Sequence, residues 1–178
     1  MEEIELKILE VNHKDLEPKL ISLGAKKIFD GELYALFFDD EESKIRKSGE
    51  TLRLRKEGDK IFITHKKIIP SEDMKIRDET EIEVSNFEEA KKLITSLGFK
   101  EFKQIRKRRI SYKLDNIKFE FDTFCDEYDF VPEFLEIETT NTKDIDKIYK
   151  CIESLGFSKN DCKPWTGKEV IEYYSKKK

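Results

Sequence analysis

Seven segments of the chain alternate polar, mostly charged, and apolar residues with a period of two, and no other feature limits the fold as much. The first is EEIELKI, in which Glu3, Glu5 and Lys7 alternate with Ile4, Leu6 and Ile8. Successive side chains of a strand point to opposite faces, so each such segment predicts a β-strand with one charged and one apolar face. TLRLR sets Arg53 and Arg55 against Leu52 and Leu54, and FITHK sets Thr64 and Lys66 against Ile61 and Ile63. ETEIEV gives Glu79, Glu81 and Glu83 against Ile82 and Val84. IRKRRISY gives Lys107 and Arg109, although Arg106 and Arg108 charge the other face too. IKFEFD pairs Glu120 with Asp122 against Phe119 and Phe121, and FLEIET pairs Glu136 with Glu138 against Leu135 and Ile137.

The pattern predicts eight strands, near 2–9, 33–38, 51–57, 60–67, 79–85, 105–114, 117–124 and 134–140. EGD at 57–59 and DN at 115–116 are tight hairpin signals, and the polar stretch 68–78, with Pro70, reads as a loop. The tripeptide SLG occurs at 22–24, 96–98 and 154–156, each time ending an amphipathic segment. It predicts helices over 13–23, 87–97 and 143–155, each closed by a glycine in the left-handed position. Asn12 with Asp15, and Asn86 with Glu89, cap the first two. KPWTGKEVIEYY at 163–174 predicts a turn and a last amphipathic helix on which Trp165 packs. The class is α+β, with an antiparallel sheet large enough to close.

No Gly/Ser/Pro-rich linker interrupts the 178 residues, which predicts one domain over 1–178. Charged residues make up 42% of the chain but nearly cancel, to a net −4, which argues against a general nucleic-acid coat or a basic membrane binder. The apolar runs are too short for a transmembrane helix or signal peptide, so the expected location is cytoplasmic. Cys125, Cys151 and Cys162 form no CxxC and are expected to be reduced packing residues.

The charged face is the unusual element. Three amphipathic helices need an apolar surface to cover, and the Ile, Leu, Val and Phe faces of the strands provide it. Helices packed there leave the charged side concave, and an eight-stranded sheet can close into a barrel that holds one small ligand. Such a lumen collects the carboxylates Glu3, Glu5, Glu81, Glu83, Asp122, Glu136 and Glu138 with the cations Lys7, Arg53, Arg55, Lys66, Lys107 and Arg109. A desolvated, poorly paired ion costs on the order of several kcal/mol, so this surface makes sense only for a highly charged ligand. Carboxylates suit hard divalent cations and arginines suit phosphate oxygens; together they imply a metal-bound polyphosphate.

EIELK, followed in order by LRLR, THK, EIE, KRR, FEFD and FLEIE, resembles the CYTH superfamily, the triphosphate tunnel metalloenzymes, over about residues 1–140. That family includes class IV adenylyl cyclases, thiamine triphosphatases, inorganic triphosphatases and fungal-type RNA triphosphatases. The resemblance implies an eight-stranded antiparallel tunnel holding a triphosphate with Mg²⁺ or Mn²⁺. It assigns phosphate contacts to Lys7, Arg53, Arg55, Lys66, Lys107 and Arg109, with Lys7 and Lys66 also catalytic. It assigns metal ligation to Glu3, Glu5, Asp122, Glu136 and Glu138, and matches Glu81 and Glu83 to a further acidic pair. It also makes a homodimer an expectation. Many relatives carry a tyrosine in the second strand, where this chain has Phe37 or Phe38; Tyr34 is the nearest substitute.

The tunnel charges serve two reactions. Attack by water hydrolyses the triphosphate; attack by a ribose 3′-hydroxyl on the α-phosphate gives cyclic AMP and pyrophosphate. Hydrolysis asks less of the site and is the favoured expectation. A non-catalytic polyphosphate-binding module does not need the Glu-x-Glu pairs at 3/5 and 136/138, and an RNA-binding role for RKRR at 106–109 conflicts with the acidic balance.

Overall fold

The computed structural model describes residues 2–70 and 75–178. In chain order its elements are β1 (Glu2–Ile8), α1 (His13–Ser22), β2 (Lys26–Asp39), α2 (Lys44–Lys47), β3 (Thr51–Glu57), β4 (Lys60–Ile69) and β5 (Lys75–Val84), followed by α3 (Phe87–Ser96), β6 (Lys100–Leu114), β7 (Ile117–Phe124), β8 (Phe134–Thr139), α4 (Ile145–Leu155), β9 (Cys162–Lys163) and α5 (Gly167–Ser175). β1 pairs with β8 on one edge and with β5 on the other, so the sheet β5-β4-β3-β2-β6-β7-β8-β1 closes on itself. The result is the expected eight-stranded antiparallel barrel, with helices outside it. Closure leaves the barrel strands no long free edge. β9 joins β1 only at Lys7 and Ile8, beyond the stretch that β5 occupies.

Three elements depart from the sequence reading. β2 starts at Lys26 and β6 at Lys100, and these extensions pair with partners from Lys26↔Lys113 to Asp39↔Lys100. Register shifts between Lys27 and Phe29 and between Phe37 and Phe38 break the alternation that would have revealed the full length of β2. Residues 75–78, expected to be loop, open β5 instead. A strand segment whose inward face is charged and whose outward face is partly polar looks like a loop in sequence. Residues 71–74 of that expected loop lie outside the described residues. The four-residue α2 was also unforeseen; buried Asp39 accepts hydrogen bonds from the backbone N–H of Ile45 and Arg46 and from the Arg46 Nε at 2.7 Å.

Helices α1 and α4 cover Tyr112, Phe119, Phe121, Leu135 and Ile137, with Cys151 in the same cluster. Helix α3 covers Leu36, Phe38, Leu54 and Ile61. Helix α5 behaves differently. Its Val170, Ile171 and Tyr174, with Trp165 beside them, pack on Phe124 and Phe134 and on the partly buried Leu9 and Ile105. Phe124 lies two residues beyond Asp122, and Phe134 two before Glu136, so both share the inward face. α5 therefore stoppers one end of the barrel with apolar side chains, and at the other end, where the β3–β4 hairpin turns, Lys60 and Glu83 are largely exposed. Among the described residues no helix is long and apolar enough to cross a membrane.

The glycines of the three SLG repeats all adopt positive φ. At Gly98, φ is +94° and a Cβ would meet nothing within 4 Å, so only backbone conformation is at stake there. Gly98→Ala is expected to lower stability by about 1–2 kcal/mol, the cost of a left-handed alanine. Phe119→Ala, which empties a fully buried site, is expected to lower it by about 3–5 kcal/mol. Urea unfolding checks both: equal midpoint shifts for the two variants would contradict the outward-core assignment.

Candidate active site

Antiparallel register brings the charged positions into rows around the lumen. Lys7 stands opposite Glu136 and Glu5 opposite Glu138. Arg109 stands opposite Asp122, Ser111 opposite Glu120, and Glu120 in turn opposite Glu136. On the other wall Arg53 faces Thr64, Thr64 faces Glu81, and Lys66 faces Glu79. β1 shows the consequence most clearly: Glu3 and Glu5 are buried as well as Ile4 and Leu6, and Lys7 is 1% exposed. The charged face points inward.

Most of these buried charges are paired. Lys7 contacts Glu5 and lies 2.7 Å from Glu136. Lys66 bridges Glu3 at 2.6 Å and Glu79 at 2.9 Å. Arg109 donates twice to Asp122, from Nε and Nη2 at 2.7 Å each, and its Nη1 contacts Glu120. Lys107 also contacts Asp122. Arg55 reaches Glu57 and Glu81, both at 3.1 Å, and the Thr64 hydroxyl donates to Glu81 at 2.7 Å. Such pairing offsets much of the desolvation that an empty lumen would otherwise impose.

Two sets of groups are left with unmet demand. Among the described residues, the Nε atoms of Arg53, Arg55 and Arg77 are buried without a hydrogen-bond partner, as is Glu120 Oε2, which is in ion contact with Arg109. Burial, with Arg55 adding repulsion, lowers the Arg53 pKa to about 10. Glu120, Glu136 and Glu138 bring ligand oxygens within 4.8 Å of one another. Glu120 and Glu136 are direct cross-strand neighbours, an arrangement that is destabilising for two like charges. Burial raises the Glu120 pKa to about 7 against the pull of Arg109, with Glu138 and Glu136 adding to the rise. Glu136 goes the other way: burial opposes its ionisation, but Lys7, Arg109 and Lys107 hold its pKa well below the usual carboxylate range. An all-oxygen donor set in which like charges crowd one another fits a hard divalent cation.

The expected site residues converge with one partial exception. Glu3, Glu5, Lys7, Arg53, Arg55, Lys66, Glu81, Lys107, Arg109, Asp122, Glu136 and Glu138 line the same lumen. Glu83 shares their face but sits at the β3–β4 hairpin end, 3.9 Å from Lys60, with both side chains largely exposed. The assignment missed Glu120 and Arg77. Glu120 was legible, since it alternates with Asp122; Arg77, opposite Glu3, was hidden in the stretch that reads as loop. Tyr34 does not substitute for a lumenal tyrosine, because its ring packs on Phe87 of α3 and its hydroxyl donates to Gln104 at 3.1 Å, on the outer face. His65 is also outside, 2.8 Å from Glu50, and His13 opens α1, where its backbone N–H and ring both meet Glu133.

Residues 1–161 match the CYTH domain. A Methanocaldococcus jannaschii protein provisionally named an adenylate cyclase is 28% identical over 167 residues, which are 90% of this chain and 93% of that protein. A solved Pyrococcus horikoshii protein is 33% identical, with a TM-score of 0.74 over 96% of this chain and 98% of its own. A Hippeastrum protein, provisionally named an adenylyl cyclase and described as having a dominant triphosphatase activity, shares the fold at 15% identity, with a TM-score of 0.65 over 97% of this chain and 95% of its own. The chain belongs to the CYTH domain family.

Proposed function

We propose that the lumen binds a triphosphate together with a divalent cation, Mg²⁺ or Mn²⁺, and hydrolyses it. One observation carries this reading: buried guanidinium Nε atoms without a hydrogen-bond partner among the described residues and three carboxylates with oxygens within 4.8 Å of one another line one lumen. The first set calls for anionic oxygens and the second for a cation. A metal–triphosphate complex satisfies both at once.

In this reading Arg53, Arg55, Arg77 and Lys107 contact phosphate oxygens, with Arg109 placed by Asp122 beside them. Glu120, Glu136 and Glu138 hold the metal, with Glu3, Glu5 and Asp122 as the further ligands or water-mediated partners. A divalent cation there supplies charge neutralisation on the phosphate and a more acidic bound water. Lys7 and Lys66, each held between two carboxylates, aim fixed positive charge at the bond being broken and stabilise the charge that develops on the leaving oxygen. The oxygen of water bonds to the terminal phosphorus as the bridging P–O bond breaks; pyrophosphate, or the nucleoside diphosphate, is the leaving group, the water's proton passes to solvent, and orthophosphate is released. No covalent protein intermediate is needed, and the outward position of Tyr34 leaves it no part in activating the water.

The activity described for the Hippeastrum neighbour supports hydrolysis. The name of the Methanocaldococcus jannaschii relative favours the second reading, conversion of ATP to cyclic AMP and pyrophosphate in the same lumen. ³¹P NMR separates them. With Mg²⁺ or Mn²⁺, orthophosphate from ATP or inorganic triphosphate is the expected product; pyrophosphate from ATP without orthophosphate would establish the cyclase instead.

Glu136→Gln, which keeps the shape of the side chain and removes its charge, is expected to lower turnover about a hundredfold or more, with Arg53→Ala similar. Initial rates alongside thermal melts check this; full activity in a folded Glu136→Gln variant would place the chemistry elsewhere. Metal affinity supplies a pH test. The proton that Glu120 retains below about pH 7 competes with the cation. Mn²⁺ affinity should therefore rise as pH increases from 6 to 8, and Glu120→Gln should flatten that rise. Calorimetry across that range decides: an affinity independent of pH, or an unchanged slope in Glu120→Gln, would remove Glu120 from the metal site.

A further inference from the structure

Three sides of the lumen wall are mostly charged; β2 lines it with the buried Leu33 and Ala35, opposite Glu57 and Arg55, and Phe62 on β4 is a further apolar residue. Its register partners are Arg55 on β3 and Glu83 on β5, so its ring belongs to the inward face. It is half-buried, yet it packs in none of the three apolar clusters. Its ring instead meets the Arg55 guanidinium, 5.1 Å from the ring centroid.

Its position along the barrel is informative. Phe62 lies two residues toward the β3–β4 hairpin end from Thr64, a rise of about 7 Å. Arg53 and Arg55 stand at the levels of Thr64 and Phe62 respectively. A second aromatic residue sits on the same inward face near that end. Phe29 is the register partner of Ser111, and its ring lies against the backbone of Gly31 and Gly58. A Cβ at Gly31 would come within 3.1 Å of that ring, and one at Gly58 within 3.3 Å. Phe29 likewise belongs to none of the apolar clusters.

We infer that Phe62, supported by Phe29, forms a stacking platform for a planar ring carried on the triphosphate, so that the lumen selects nucleoside triphosphates over inorganic triphosphate. The inference rests on the lumen being a triphosphate site, and it adds the organic group. Helix α5 and its apolar stopper close the far end. An organic group on a triphosphate held by Arg53 and Arg55 therefore extends toward the hairpin end, where Phe62 stands. A base on the Phe62 face opposite the one that the Arg55 guanidinium covers uses π-surface that the protein leaves outside its cores. Stacking accepts any base, so purines and pyrimidines both qualify, purines more strongly through their larger face.

The test is the ratio of kcat/KM for ATP, and separately for UTP, to that for inorganic triphosphate. It is read in wild type, Phe62→Ala, Phe62→Trp and Phe29→Ala, alongside calorimetric affinities of the β,γ-imido analogues of ATP and of inorganic triphosphate with Mg²⁺. Taking a ratio cancels any disturbance that reaches both substrates through Arg55. The ATP-to-triphosphate ratio should fall by about fivefold to about a hundredfold in Phe62→Ala, the span measured for one base stacked on an aromatic ring. It should hold or rise in Phe62→Trp, and fall by less in Phe29→Ala. A ratio unchanged within about twofold in Phe62→Ala overturns the platform while leaving hydrolysis of inorganic triphosphate standing. Analogues that bind to a protein that turns over neither substrate overturn the hydrolase reading, and the ratio of their affinities then judges Phe62 alone.

Discussion

Everything in this fold follows from the need to bury a ring of ions. A strand such as β1, with Glu3, Glu5 and Lys7 along one face, can turn that face to water at no cost, yet here it is enclosed. Enclosure is tolerable because antiparallel neighbours deliver opposite charges at matching heights. Lys7 meets Glu136, Arg109 meets Asp122 through two parallel hydrogen bonds, and Lys66 is shared by Glu3 and Glu79. Where register instead sets like beside like, as at Glu120 and Glu136, or leaves a guanidinium nitrogen unmatched, the proposed metal–triphosphate complex would supply the missing partners. A lumen whose charges nearly cancel suits a metal–phosphate complex better than either ion alone.

Stability and function are thereby divided between the two sides of one sheet. The outward faces carry the apolar clusters under α1, α3 and α4; the inward faces carry the paired charges to which the proposed chemistry is assigned. Helix α5 is the exception that gives the lumen a direction, since its side chains pack on inward-facing Phe124 and Phe134. This division has a consequence for mutagenesis. Truncating one member of a buried ion pair leaves its partner desolvated, which costs about 3–5 kcal/mol, whereas an isosteric amide keeps the packing. Glutamine for glutamate is therefore the informative exchange in this lumen.

The barrel was legible because period-two alternation survives in seven strands, and the helix ends because each SLG supplies a glycine with positive φ. Strand length was less legible. The bulges of β2 interrupt its alternation, and the start of β5 mimics a polar loop. The site followed the same division. Residues inside clean alternation were placed on the correct face, whereas Arg77 was lost with the start of its strand. Glu120 was visible in the pattern, but its part in the carboxylate trio depends on which residue of β8 stands opposite, and a single strand's sequence does not contain that. Tyr34 shows the same limit: one residue of register decides whether a side chain sees the lumen or α3.

The central claim is that the inward charges form one site for a metal–triphosphate complex. Anomalous diffraction at the manganese edge, from crystals grown with Mn²⁺ and inorganic triphosphate, tests it most directly. The account predicts a manganese peak among Glu120, Glu136 and Glu138, with phosphate density against Arg53, Arg55 and Arg77. Manganese and triphosphate found only outside the barrel, with the Lys7–Glu136 and Lys66–Glu3 pairs undisturbed, would contradict it.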